Sequence, residues 1–296
     1  MFIIKHKKIF IWISIVLVIL SVVSLFVFGL KIGIDFKGGA LVEVSYAGAR
    51  PTQEEVRKNL EDLNLGTVLV QPTGDDGYII KTRDITEGEH KAILAALSNG
   101  GKTQVAEKSF NSIGPSIGRE LTTRAALAIV LVSLAIICFI AFAFRGISKP
   151  VSSWKYGFIA IVALLHDVLI PIGIFSVLSH YYGAEVDTLF VVAVLTVLGL
   201  SVSDTIVVFD RIRENLKNRV SANFAEVVGR SLEQAYVRSI NTSLTVIIVL
   251  LSLFFFGPET TRYFALMMTA GMFFGTYSSI FLASPLLVLT EELQKK

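Results

Sequence analysis

Residues 189–210 form a stretch of 22 mostly apolar residues with one carboxylate between its ends, Asp204, and this stretch most constrains the fold. As a helix it would be about 33 Å long, against roughly 30 Å for the hydrocarbon core of a bilayer. A charged cluster closes it, formed by Asp210, Arg211, Arg213 and Glu214. The stretch is therefore predicted to cross a membrane, with Asp204 about 9 Å from the charged end.

Asp204 has two interpretations at this depth. An ionised carboxylate there costs on the order of 2.5–3.5 kcal/mol even on the mildest insertion scale, so a retained one indicates function. The alternative is a neutral aspartic acid that hydrogen-bonds Ser201, Ser203 or a neighbouring helix and contributes only to packing.

Five further apolar runs, in a chain that is 53% apolar, are typical of a polytopic membrane protein. The six predicted transmembrane spans cover residues 9–30, 125–144, 157–178, 189–210, 238–256 and 264–289. In the fifth, the mostly apolar run covers only residues 244–256, so this span is long enough only if it starts near Arg238. The first run has about 22 residues, which exceeds the 7–15 of a cleavable signal peptide and predicts an uncleaved anchor.

The distribution of Lys and Arg predicts the orientation of the spans. One set of span ends carries Lys5, Lys7, Lys8, Arg145, Lys149, Lys155, Arg211, Arg213, Lys217, Arg219, Arg230, Arg238, Lys295 and Lys296. The opposite short loops, 180–187 and 257–263, contain only Arg262. Both termini are therefore expected on the cytoplasmic side, and the net charge of +3 requires no nucleic-acid partner.

Residues 31–123 are predicted to form an extracytoplasmic domain, between a membrane anchor at 1–30 and a five-helix membrane domain at 124–296. Its strands are predicted at residues 40–45, 67–71, 78–82 and 103–110, and its helices at residues 52–63 and 87–97. The βαββαβ order is typical of a small α+β, ferredoxin-like sheet with two helices on one face. No cluster in it has metal-binding or catalytic spacing, so a binding or docking role is favoured and no metal or cofactor is expected.

Two glycine-rich stretches flank this domain, at residues 33–39 and 112–120. A phosphate cradle needs a strand leading in, a helix N-terminus leading out and Lys and Ser/Thr at fixed places, and neither stretch has this pattern. They are predicted to be tight connections, in which glycines permit positive φ, between a rigid domain and moving helices.

The fifth span enters the membrane with a polar stripe on one helix face. The stripe is formed by residues at helical spacing, Arg238, Asn241, Thr242 and Thr245. It is predicted to face protein, with Arg238 able to approach Asp204 or to act on it through water. The simpler alternative for Arg238 is a cytoplasmic-end anchor.

Two other features of the spans leave alternatives open. His166 and Asp167 lie deep in the third span, where they fit either a proton-transfer step or a hydrogen-bonded pair that fixes helix packing. Small residues repeat every four positions along the sixth span, at Gly271, Gly275, Ser279 and Ala283. Such a ridge permits close approach of another helix, either of this chain or of a partner.

Four sequence blocks resemble the SecF proteins of the SecD/SecF family, which belong to the bacterial Sec export machinery. They are GIDFKGG at 33–39, SIGPSIGREL at 112–121, GLSVSDTIVVFDRIREN at 199–215 and RSINTSLT at 238–245. The resemblance covers essentially the whole chain. One departure is Ser203, where Asn would be expected before the aspartate, and it affects a neighbouring hydrogen bond rather than the carboxylate.

The resemblance implies one half of a proton-driven transporter of the resistance-nodulation-division type, with SecD as the other half. It further implies work beside the SecY, SecE and SecG channel in the bacterial cytoplasmic membrane, with YidC as a further candidate partner. There the proton-motive force would help to draw unfolded preproteins out on the outer face. A carboxylate like Asp204 and an arginine like Arg238 are implied in proton passage.

Two other functions compete with a transporter. An intramembrane aspartyl protease needs carboxyls about 3 Å apart, whereas Asp167 and Asp204 would differ in depth by roughly 6 Å, and Ser201-Val202-Ser203 replaces the Gly-x-Gly expected before the second aspartate. A passive scaffold would use the outer domain to bind a partner and the membrane carboxylates only for packing. The residues favour a non-enzymatic transporter subunit.

Overall fold

The computed structural model describes residues 2–101, 103–144 and 151–294. Of the charged residues that predict orientation, Arg145, Lys149, Lys295 and Lys296 lie outside this range. The elements, in chain order, are α1 (Phe2–Lys5), α2 (Lys7–Phe28), β1 (Lys31–Ile32), α3 (Ile34–Lys37), β2 (Gly39–Tyr46), α4 (Gln53–Glu61), β3 (Leu69–Thr73), β4 (Gly77–Thr82), α5 (Glu87–Leu97), β5 (Val105–Ile113), α6 (Pro115–Ala143), α7 (Ser153–Tyr182), β6 (Glu185–Val186), α8 (Thr188–Lys217), α9 (Phe224–Phe256), α10 (Glu259–Ser278), a π-helix (Ser279–Ala283) and α11 (Ser284–Gln294).

Six helical segments of the described chain are long and apolar enough to cross a membrane. They are α2, α6, α7, α8, α9 and the continuous segment from α10 through the π-helix to α11. They contain between 22 and 36 residues, so the shortest is about 33 Å long. Together with the small sheet described below, they confirm the predicted fold class.

Helix α9 extends beyond the predicted fifth span at its N-terminal end. It is one helix of 33 residues that begins at Phe224, where the side chain of Asn223 accepts a hydrogen bond of 3.0 Å from the Ala225 N–H. Asparagine is a favoured N-cap residue because it satisfies an unpaired backbone donor. The part of α9 before Arg238 contains the charged residues Glu226, Arg230 and Glu233, and a membrane span that begins near Arg238 within this longer helix stays a prediction.

The membrane helices, apart from residues 115–127 of α6, belong to one compact unit, formed by Met1–Lys31 and Ala128–Lys296. Helices α7, α8 and α10 bury the largest share of their apolar segments. A Cβ at Gly271 would overlap the side chain of Val197, and one at Gly275 would lie 3.3 Å from the Cβ of Ser201. The small-residue ridge of the sixth span therefore packs against α8 of this same chain, which the sequence left undecided.

The second compact unit, Ile32–Leu127, contains the βαββαβ elements β2, α4, β3, β4, α5 and β5. Capping boxes at Thr52 and Thr86 begin the two helices, each closed by a glutamate three residues later. The sheet order is β3-β4-β2-β5, and every neighbouring pair is antiparallel. The core between sheet and helices is built from completely or almost completely buried side chains that include Val42, Val44, Leu60, Ile80 and Ile93.

Two strand boundaries differ from the prediction. Strand β3 is Leu69–Thr73 rather than residues 67–71, so Pro72 lies in a strand and the turn shrinks to residues 74–76. Proline is tolerated there because β3 is an edge strand. Strand β5 begins at Val105 and continues to Ile113, past the predicted end at Phe110.

The two glycine-rich stretches meet each other within this unit. Gly38 has φ +80°, as predicted for a tight connection, and follows the short helix α3. The second stretch instead ends β5 and forms the first turns of α6. A Cβ at Gly118 would lie 2.9 Å from the Gly38 nitrogen and from the Phe36 carbonyl oxygen, so glycine is required for this close approach.

Candidate functional site

Asp204 lies on α8 and is half-buried within the membrane unit. The Thr276 hydroxyl on α10 donates a hydrogen bond of 3.1 Å to its Oδ2 atom. The Thr276 hydroxyl is also hydrogen-bonded to the hydroxyl of Ser243 on α9, and Ser239 lies close to the carboxyl group. Asp204 is thus the point at which polar side chains of three helices converge.

Asp167 on α7 is completely buried and forms a second convergence point. Its Oδ1 atom lies 2.8 Å from Nδ1 of His166. Its Oδ2 atom accepts hydrogen bonds from Ser201 of α8 and, at 2.7 Å, from Ser278 of α10. The predicted His166–Asp167 pair therefore exists, and it also ties together three helices.

Ser201 links the surroundings of the two carboxylates. It lies three residues before Asp204 on α8, so both occupy one face of that helix. The sequence left Ser201, Ser203 or a neighbouring helix as the partner of Asp204, and in the structure Ser201 donates to Asp167 while Ser203 is exposed. The neighbouring helix supplies the partner of Asp204 instead. The two carboxyl groups are close enough to interact electrostatically, but within the described chain each is bound by its own hydroxyl groups.

A π-helix at Ser279–Ala283 follows these residues directly. Within it, the Ser279 hydroxyl lies 3.0 Å from the Thr205 hydroxyl of α8, and the Ser284 hydroxyl donates to the Ser279 carbonyl at 3.0 Å. Short π-helical turns inside α-helices interrupt the regular i to i+4 hydrogen bonds and are frequent at functional sites. No signal in the sequence predicted this turn.

Arg238 is exposed on α9, and so are Asn241, Thr242 and Thr245. The rest of the described chain does not bury this stripe, and the prediction that it faces protein stays a prediction. The buried polar side chains at this level of α9 are Ser239 and Ser243, which lie one position further round the helix. No ion pair joins Arg238 to Asp204 among the contacts of residues 2–101, 103–144 and 151–294.

The hydroxyl groups that surround the carboxylates, Ser201, Ser239, Ser243, Thr276 and Ser278, were not proposed as a set from the sequence. Their spacing within apolar helices was a usable signal. Ser239 and Ser243 lie four residues apart, on one face of α9, and Thr276 and Ser278 lie in one turn of α10. Which carboxylate each meets depends on helix packing. In the part of the chain that the structure describes, no group of three His, Cys, Asp or Glu side chains is arranged to hold a metal ion.

A family model described as "Protein export membrane protein SecD/SecF, C-terminal" matches residues 93–293 of this chain, and a "SecD/SecF GG Motif" model matches residues 23–49. The chain belongs to the SecD/SecF family. The second match contains Gly38, whose positive φ is described above, and Gly39, which has φ +152°.

Members of the SecD/SecF family resemble the chain over nearly its full length. The protein translocase subunit SecF of Thermobaculum terrenum is 42% identical over 98% of this chain and 93% of its own length. The protein translocase subunit SecF of Anaerolinea thermophila is 38% identical over 98% of this chain and 94% of its own length.

Larger members of the SecD/SecF family contain a region similar to the whole chain. The protein translocase subunit SecDF of Bacillus subtilis is 33% identical over 95% of this chain, which corresponds to 36% of that protein. The crystal structure of SecDF from Thermus thermophilus, a translocon-associated membrane protein, is similar to this chain, with a TM-score of 0.83 and 30% sequence identity. It covers 98% of this chain, which spans 38% of that structure.

Proposed function

We propose that this chain is a subunit of a protein translocase that, with SecD, uses the proton-motive force to drive or complete preprotein export. Its SecF-type relatives support the first part of this proposal. The SecDF proteins support the pairing with SecD. The region similar to this chain makes up only 36–38% of their length, so the remainder can contain the other half. Proton-coupled folds are commonly built from two related halves.

The surroundings of Asp204 carry the proposal that protons are involved. Its contacts are hydroxyl groups, which can donate to a carboxylate and accept from a carboxylic acid. No described cation is paired with it, so neither protonation state is locked in place. A half-buried carboxyl group with such partners is suited to take up and release a proton.

Arg238 acts, in this proposal, from the exposed face of α9 together with the rest of its stripe. Polar side chains directed at lipid are costly, so this face is suited to contact the SecD half. The guanidinium would then contribute positive charge to the route of the proton at that interface. His166 and Asp167 belong to the same route.

The remaining partners are those that the resemblance to SecF proteins implies, placed on the side of the membrane that Lys and Arg predict. With both termini in the cytoplasm of a bacterial cell, the unit Ile32–Leu127 would lie outside the membrane, where it would meet unfolded preprotein. The SecY, SecE and SecG channel, and YidC as a further candidate, would deliver that preprotein. The chain would act without a catalytic centre or a cofactor.

Export into inverted membrane vesicles tests this function. Vesicles that contain the chain and SecD should export a preprotein at a rate that an uncoupler lowers, and Asp204→Asn should abolish only that uncoupler-sensitive part. Asp204→Glu should keep a portion of it, because a carboxyl group remains within about one methylene of its place. An Asp204→Asn variant that exports like the unmodified protein would leave a passive scaffold as the better interpretation.

A further inference from the structure

Five side-chain polar atoms of the described membrane unit are buried without a hydrogen-bond partner, and three of them lie close to one another. These three are Nε2 of His166, the hydroxyl oxygen of Tyr277 and Oγ of Ser14. Buried polar groups are nearly always hydrogen-bonded, to protein or to ordered water, because an unpaired one costs about 1–3 kcal/mol. Three such atoms in one region indicate a shared partner.

The three side chains come from three different helices and lie next to one another. The rings of His166 on α7 and Tyr277 on α10 are stacked, with centroids 6.1 Å apart and an angle of 16° between the planes. The Ser14 hydroxyl on α2 lies close to the Tyr277 hydroxyl. Only 2% of His166 and 1% of Ser14 is exposed, and although Tyr277 is partly exposed, its hydroxyl oxygen is buried.

The chemistry of these groups selects water as the occupant. A hydroxyl group both donates and accepts, and Nε2 of a neutral imidazole does one or the other according to its tautomer. A metal ion would require further ligands, but both oxygen atoms of the adjacent Asp167 already take part in hydrogen bonds. A water molecule with two to four polar neighbours fits such a position.

We infer that ordered water occupies the space between His166, Tyr277 and Ser14, and that His166 passes protons between Asp167 and this water. The inference rests on the proposed proton coupling and adds a second branch to the route through Asp204. The branch runs from Asp204 past Ser201 to Asp167, then through the imidazole ring to the water.

One proton is transferred in the step at His166. The O–H bond of a protonated Asp167 breaks at Oδ1, an N–H bond forms at Nδ1, and the Nε2–H bond breaks as that proton joins the water. Asp167 is left as a carboxylate and the ring as the neutral Nδ1–H tautomer. Ser14 lies about 10 Å along α2 from Lys7, so the water lies toward the predicted cytoplasmic end, where the proton is released.

Removing single hydroxyl groups tests the inference in proteoliposomes that contain the full chain and SecD. Under an imposed pH gradient, Tyr277→Phe and Ser14→Ala should each slow proton uptake at least fivefold. Ser14→Thr should restore it, because the hydroxyl group returns. Tyr156→Phe is the matched control: its hydroxyl is also buried without a partner, but its ring packs on Phe144 and Phe209.

Thermal unfolding of the same variants separates a proton route from packing. Each hydroxyl group bonds only water in this inference, so its deletion should change the melting temperature little, and a loss of proton uptake without a loss of stability supports the inference. Uptake by Tyr277→Phe and Ser14→Ala at the unmodified rate would overturn it, as would equal slowing in Tyr156→Phe. If the unmodified protein took up no protons, the proposed function itself would fail.

Discussion

The hydroxyl of Thr276 donates a hydrogen bond of 3.1 Å to Oδ2 of Asp204, and this contact joins α10 to α8 next to a π-helix. Thr276 also contacts Ser243 of α9, so a change in the protonation of Asp204 alters hydrogen bonds that involve α10 and α9. A carboxylate accepts from Thr276, whereas a carboxylic acid can donate in return. The contact therefore couples charge to helix packing.

Thr276→Val should reduce uncoupler-sensitive export several-fold, whereas Thr276→Ser should retain most of it. Valine has nearly the shape of threonine but cannot hydrogen-bond Asp204, and a hydrogen bond to a charged group contributes about 1.5–3 kcal/mol. The measurement is preprotein export into vesicles, normalised to the amount of each variant. Equal rates for the valine and serine variants would show that the hydroxyl group is not needed.

Asp167→Leu should lower the stability of the membrane unit more than Asp167→Asn. Leucine leaves His166, Ser201 and Ser278 without their common acceptor, and removing one member of a buried charged network costs about 3–5 kcal/mol. Asparagine keeps one acceptor oxygen and should cost less. Melting temperatures in detergent test this order, and a leucine variant as stable as the unmodified chain would contradict it.

The unit Ile32–Leu127 should fold when expressed alone and should show no enzymatic activity. It has its own core of completely buried side chains and two helices with capping boxes. Domains of this size bury enough surface to fold without disulfides. A dispersed amide spectrum is the expected result, and a collapsed one would show that the unit depends on the membrane helices.

Gly118→Ala should destabilise this unit by about 1–3 kcal/mol, the usual cost of overpacking. Its new methyl group would lie 2.9 Å from backbone atoms of Gly38 and Phe36, which cannot move as a side chain can. Gly48→Ala is the control, since no atom lies within 4 Å of a Cβ there. Urea unfolding of the isolated unit measures both, and a similar midpoint for the two variants would refute the close approach.

Acid should weaken the same unit through Glu89. The ion pair with Arg83, followed by hydrogen bonds from Thr86, lowers the pKa of Glu89 from 4.5 to about 2. A lowered pKa in the folded state contributes stability that is present above pH 4.5 and is lost as the pH falls toward 2. Glu89→Gln should therefore flatten the fall in melting temperature over this window. Glu54→Gln, which lies outside the capping box, should leave the fall unchanged.

The sequence alone determined the six spans, the βαββαβ order and the position of Asp204 within a membrane helix. These depend on the length of apolar runs, on local start signals and on spacing along one element, all of which are local properties. It also singled out His166 and Asp167 as a pair, because adjacent polar residues deep in a span need partners.

Only the tertiary structure decided which side chains meet across helices. Ser201 contacts Asp167 rather than Asp204, the ridge at Gly271 packs on α8, and Arg238 lies on an exposed face. Local pattern limits the faces that a helix can bury, but the rotation of each helix is set by how all the side chains of the bundle fit together. A rotation of one residue, about 100°, changes the partner of a carboxylate, and packing alone selects among these rotations.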